Sequence, residues 1–210
     1  MGLMNRTVMI LLGVVATVLS SFFGFVLMPE YQLGALTPVT LADGTTRPVE
    51  PFGEIEEGRR IYISLGCMYC HSQQVRPQGF GADIARGWGT RQSLPRDYIY
   101  EQPPLLGTMR TGPDLWNIGA RQPSEQWHYL HLYDPVLTSP GSLMPKFPFL
   151  FDRVPKRGEL EPPRGALELP PDRGPEDVWI VPNADGRALV RYLLSLDHIY
   201  PLPEGGGDGG

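Results

Sequence analysis

The chain has 210 residues, 25 of them Gly and 23 Pro, where ordinary usage of the two together is about 12%. So many helix breakers exclude a helix bundle or coiled coil, while 41% apolar and 10% aromatic residues exclude a disordered low-complexity chain. A net charge of −5, from 18 Lys+Arg against 23 Asp+Glu, gives no footprint for nucleic acid, and two cysteines exclude a disulfide scaffold.

Mean hydropathy is only −0.18, yet the apolar residues are concentrated at the start. Residues 8–28 carry no charge, and their only polar side chains are Thr17, Ser20 and Ser21. About 20 apolar residues cross a bilayer as a helix. A cleaved signal peptide would have a shorter apolar run and a small-residue cleavage site. Here the run ends Phe25-Val26-Leu27-Met28-Pro29, so residues 1–28 are predicted to be an uncleaved anchor. Arg6 lies on one side of the run and Glu30 on the other. Positive charge stays cytoplasmic, which puts the N-terminus inside and residues 29–210 outside.

Residues 29–53 read as a polar connector, or as a short hairpin around Asp43-Gly44. A helix is predicted over 54–65, with Glu54, Glu56 and Glu57 where acids suit the helix dipole and Gly66 as its stop. The stretch from Cys67 to about Leu150 is rich in loops, with a short helix over 124–132 capped by Ser124. Residues 152–182 hold seven prolines among alternating charges and read as a surface strap rather than a core element. A last helix over 184–196 places Leu189, Val190, Leu193, Leu194 and Leu196 at helical spacing. Gly58 and Tyr192 suit a close crossing of the first and last of these helices. The expected organisation is an anchor (1–28), a connector (29–53), one domain (54–151 with 183–200), an insertion (152–182) and a flexible Gly-rich tail (201–210).

Both cysteines lie in Cys67-Met68-Tyr69-Cys70-His71, the C-x-x-C-H signature of c-type haem attachment. Two thiols at this spacing reach the two vinyl groups of one haem, and the adjoining His71 then falls beneath the iron. A zinc site would need two further ligands, and a redox C-x-x-C would need a thioredoxin-like context that the chain lacks. Covalent attachment occurs outside the bacterial cytoplasmic membrane, in agreement with Arg6. Met144, on a Pro-flanked loop, is the first candidate for the second axial ligand; Met109, His128 and His131 are the others. His/Met ligation raises the potential and closes both faces of the iron. That favours electron transfer over gas sensing, which needs an open position. Pro113 can offer a carbonyl to the other nitrogen of His71. Arg110, Arg121 and Arg76 are candidates for the haem propionates, and Trp88, Trp116 and Trp127 for shielding or core.

Beyond this signature, the sequence resembles the membrane-anchored monohaem subunit (subunit II, the O subunit) of cbb3-type cytochrome c oxidases. The resemblance rests on Glu57-Gly58-Arg59-Arg60-Ile61-Tyr62 before the haem motif and Ser72-Gln73-Gln74-Val75-Arg76-Pro77 after it. It continues in Tyr100-Glu101-Gln102-Pro103, in residues 107–115, in Trp127-His128-x-x-His131-Leu132-x-Asp134-Pro135 and in Ser142-Leu143-Met144-Pro145. It covers about residues 57–150, the anchor and the last helix. It implies a mainly α fold: one transmembrane helix plus a loop-rich, class I-like cytochrome c domain. It also implies one covalent haem c held by Cys67, Cys70, His71 and Met144, with Pro113 on the histidine. The subunit would be non-catalytic, passing electrons from a cytochrome c donor or a dihaem subunit toward the catalytic haem–copper subunit. A nitric oxide reductase, a quinol-oxidising complex or a free-standing anchored shuttle are the alternative settings.

Overall fold

The structure is a computed structural model describing residues 3–107, 109–156 and 161–202. Thr108, within the 107–115 motif, residues 157–160 of the insertion and residues 203–210 of the Gly-rich tail lie outside the described residues; Leu202, expected in the flexible tail, is instead buried. About 40% of the chain is helical. It divides into two compact units.

The first unit comprises Met1–Pro48, Leu94–Ile99 and Leu202–Gly210. Its helix α1, Leu3–Phe22, runs through a π turn at Phe23–Leu27 into α2, Met28–Leu33. The apolar stretch Asn5–Leu33 is long enough to cross a membrane, and its window of highest hydropathy is wholly unburied within the chain. Pro29 does not end the helix as its composition suggests. In a regular helix its ring presses on the carbonyl four residues back. Here the Met28 N–H donates to Phe23 O, and this wider turn shifts the hydrogen-bond ladder just ahead of the proline. Strands β1 (Val39–Thr40) and β2 (Thr46–Arg47) then form a hairpin. Asp43 Oδ1 accepts from the Thr45 N–H at 2.9 Å, and Gly44 supplies the positive φ of 82° that the turn requires.

The second unit comprises Val49–Ser93 and Tyr100–Pro201. It is built on α3 (Glu54–Ser64) crossing α6 (Ala184–Ser195), with α4 (Ile118–Arg121) and α5 (Glu125–Tyr133) alongside. Acids in the first turn of α3 suit its dipole, while side-chain caps on α5 (Ser124) and α6 (Asn183) satisfy helix-terminal N–H groups. Tyr62 meets Tyr192 edge-on at 5.4 Å across the crossing. Burying Leu189 and Val190 of α6 contributes about 1.5–3 kcal/mol each.

One reading needs correction. The segment 152–182 is not a strap outside the core. Strand β3 (Phe151–Pro155) pairs antiparallel with β4 (Val178–Pro182), setting Phe151 opposite Pro182. Phe151, Leu167 and Ile180 belong to the core, and the Leu167 N–H donates to Ile180 O at 2.8 Å. Five of the seven prolines lie in the connection and Pro155 and Pro182 end the two strands, while Val178-Trp179-Ile180-Val181 is a β-branched and aromatic run that favours a strand.

Candidate cofactor site around Cys67–His71

Helix α3 stops at Gly66, whose φ of 72° is left-handed, and the chain enters one 3-10 turn at Cys67–Tyr69. The Cys70 and His71 N–H groups both donate to Cys67 O, at 3.2 and 3.0 Å. This single turn sets two thiols and an imidazole side by side. Both cysteines are free thiols, Cys67 half-buried and Cys70 exposed. Burial pushes the Cys67 thiol up to about 11.

Two other segments lace the irregular stretch that follows. On one side the Gln73 N–H donates to Leu106 O at 3.0 Å. On the other, the Gly112 N–H donates to Cys70 O at 3.0 Å and the Leu115 N–H to Ser72 O at 2.8 Å. Between these rungs, His71 Nδ1 lies 2.7 Å from Pro113 O. A carbonyl only accepts, so Nδ1 carries the proton and Nε2 keeps its lone pair for a metal. Burial lowers the pKa of His71, so the imidazole is held neutral. Gly112 is obligatory here: a Cβ would stand 2.2 Å from His71 Cε1.

Arg110 faces into this lacing. Its Nε donates to Ser72 Oγ (2.7 Å), Nη1 to Asp83 Oδ1 (2.5 Å) and Nη2 to Gln74 O (2.7 Å). The guanidinium groups of Arg86 and Arg110 lie 5.0 and 5.2 Å from the centre of the Trp88 ring. Asp114 is fully buried and accepts from Ser72 Oγ (2.6 Å) and from the N–H groups of Gln74 (2.8 Å) and Trp116 (2.9 Å). Burial raises its pKa against these donors. Arg121 donates to the Asp114 carbonyl, and the Arg76 N–H to Asp83 Oδ2 at 2.8 Å. The sequence reading missed Asp83 and the role of Ser72 entirely. A buried acid is visible as such only once its donors are in place.

Met144 stands on a different loop, half-buried against the core. That loop hangs from the end of α5: Phe147 N–H donates to Leu132 O at 2.9 Å, and Lys146 Nζ pairs with Asp134 at 2.6 Å. Of the other ligand candidates, His128 is buried with Nε2 on Gln122 O at 2.8 Å. His131 Nδ1 lies 2.6 Å from Thr138 Oγ1, and its ring stacks on Trp127. Burial, with repulsion from His71 and His128, pushes His131 down to about 4. Met109 is exposed, and Trp116 fills the interior, stacked on His198 at 3.6 Å.

The structure thus brings Cys67, Cys70, His71, Pro113 and Arg110 around one laced loop, with Met144 arriving separately. Among the described residues no three His, Cys, Asp or Glu side chains converge as a metal cluster would require. A haem iron asks less of the chain: one imidazole nitrogen, one thioether and two thiols for the porphyrin. The donor set and the Gly112 clearance both fit that group. The family model described as cytochrome c oxidase, mono-heme subunit/FixO, matches residues 4–162. The match takes in the apolar helix, the Cys67–His71 turn and the Met144 loop. No curated protein matches the chain by sequence.

Proposed function

The chain belongs to the FixO family, the mono-heme subunit of cytochrome c oxidase, and from that premise we propose that it carries electrons from a cytochrome c donor toward the oxidase's catalytic haem–copper subunit. The donor is a soluble cytochrome or a dihaem subunit of the same complex. The laced His71–Pro113 pair is the observation that carries this reading.

Bound haem c would supply an iron that takes up and releases one electron. Cys67 and Cys70 would hold it covalently from a single turn. Pro113 fixes the His71 tautomer and leaves Nε2 for the iron. Met144 would offer the iron a thioether from the loop that follows α5, and such a ligand would favour electron transfer over gas binding. Arg110 and Arg121 stand beside the same loop, and any donor groups they keep could meet a propionate. The N-terminal helix anchors the subunit in the bacterial cytoplasmic membrane, with Arg6 inside and the domain from Val49 onward on the periplasmic face.

Purification of the full chain from membranes in mild detergent tests the assignment. A haem–copper subunit should co-purify. A chain that runs alone, or with a complex lacking that subunit, contradicts it. Met144→Leu tests the ligand. Leucine keeps the volume and removes the sulfur, so the oxidised protein should lose its far-red sulfur-to-iron charge-transfer band. Retention of the band would move the sixth ligand elsewhere.

A further inference from the structure

The two segments that meet at the histidine ligand are joined by more than backbone. His71 belongs to one and Pro113 to the other. The adjoining residues Ser72 and Asp114 bond to each other at 2.6 Å, and the Asp114 carboxylate also takes the Gln74 N–H. Arg110, on the second segment, reaches back to Ser72 Oγ and to Gln74 O. These side-chain bonds flank the 2.7 Å contact between His71 Nδ1 and Pro113 O. Ser72 and Asp114 are buried, and the second carboxylate oxygen accepts from the Trp116 N–H.

We infer that Asp114 is a positioning residue for the haem: by tying Ser72 and Gln74 to the Pro113 segment, it fixes the His71 imidazole against the Pro113 carbonyl and so sets the iron's potential. This rests on His71 being the axial ligand. A strong Nδ1–H···O bond raises the basicity of the imidazole and so favours the oxidised iron. Loosening the tie lengthens that bond and raises the midpoint potential. Asp114 touches neither iron nor porphyrin in this account; it acts through His71.

Two variants of the full-length holoprotein in detergent separate the possibilities. Asp114→Asn keeps the shape and removes the charge. Ser72→Ala removes one tether and changes no charge, and it is the milder change if the first fails to load haem. Both should raise the midpoint potential by redox titration, and both should move the ring N–H proton resonance of His71. A shift in Asp114→Asn alone would assign the effect to a distant charge and overturn positioning. Lower melting temperatures with an unchanged potential and resonance would make the knot structural only. A parent spectrum without histidine ligation would overturn the ligand assignment itself, a failure distinct from the other two.

Discussion

Gly58→Ala lowers the melting temperature of the second unit by roughly 10 °C, read by circular dichroism on the full chain. The Cβ would stand 2.0 Å from Ala188 O and 2.7 Å from Tyr192 Cβ. The first of these is backbone of α6, so no rotamer change relieves it. The helices must part, and the contacts of Tyr62, Leu189 and Tyr192 loosen together. Overpacking of a tight core costs about 1–3 kcal/mol and sometimes more. Alanine returns about 1 kcal/mol of helix propensity, which is not enough to offset a contact with backbone. Contact with backbone puts the gross cost above that range, at about 4 kcal/mol, and the net loss of about 3 kcal/mol corresponds to roughly 10 °C for a chain of this size. Gly119→Ala should act in the same direction, since its Cβ would lie 2.2 Å from Leu194 O on the same helix. Gly24→Ala, with open space around it in the N-terminal apolar helix, should leave the melt unchanged. A loss below about 1 kcal/mol at Gly58 would mean that α3 and α6 slide past each other freely, against the packing described.

These glycines mark how far the sequence could be read. Gly58 against Tyr192 was legible because both lie on strongly patterned helices, and small against aromatic is a local clue. The stop at Gly66 and the cap at Ser124 were legible for the same reason: each is set by neighbours within a few positions. Gly119 was not, since nothing nearby announces that Leu194 approaches it. Strand β4 was hidden for a related cause. Its pairing partner β3 lies across a Pro-rich connection, and register between distant segments leaves no periodic trace. The passage of the helix through Pro29 depends on a π turn, which composition does not reveal. At the site, the Cys67–His71 turn is written in consecutive residues. The Asp114–Ser72–Arg110 knot is written in three residues dispersed over 72–114, and it becomes visible only when their donors and acceptors meet.

Gly112→Ala is expected to dislodge His71. The φ of Gly112 lies outside the left-handed range, so the backbone itself accepts alanine; the obstacle is the imidazole. The new methyl would meet Cε1 at 2.2 Å, Nδ1 at 2.7 Å and Nε2 at 2.8 Å. The ring has little room to yield. Pro113 holds it through Nδ1, and Ser72 and Gln74 hold the segment that bears it. If the clash costs about 3 kcal/mol, the balance between seated and displaced imidazole moves by more than about a hundredfold. In the holoprotein this reads as loss of the six-coordinate spectrum and new binding of carbon monoxide to the reduced form. Thr111→Ala, one residue away and exposed, is the comparison that should change neither. An unaltered spectrum in Gly112→Ala, with the reduced protein still indifferent to carbon monoxide, would mean that the imidazole seated beside Gly112 is not the one that binds the iron. The test therefore bears on His71 without removing it. Truncating a ligand shows only that haem needs it, whereas displacing it by a neighbour's single methyl asks whether its position is what the loop was folded to hold.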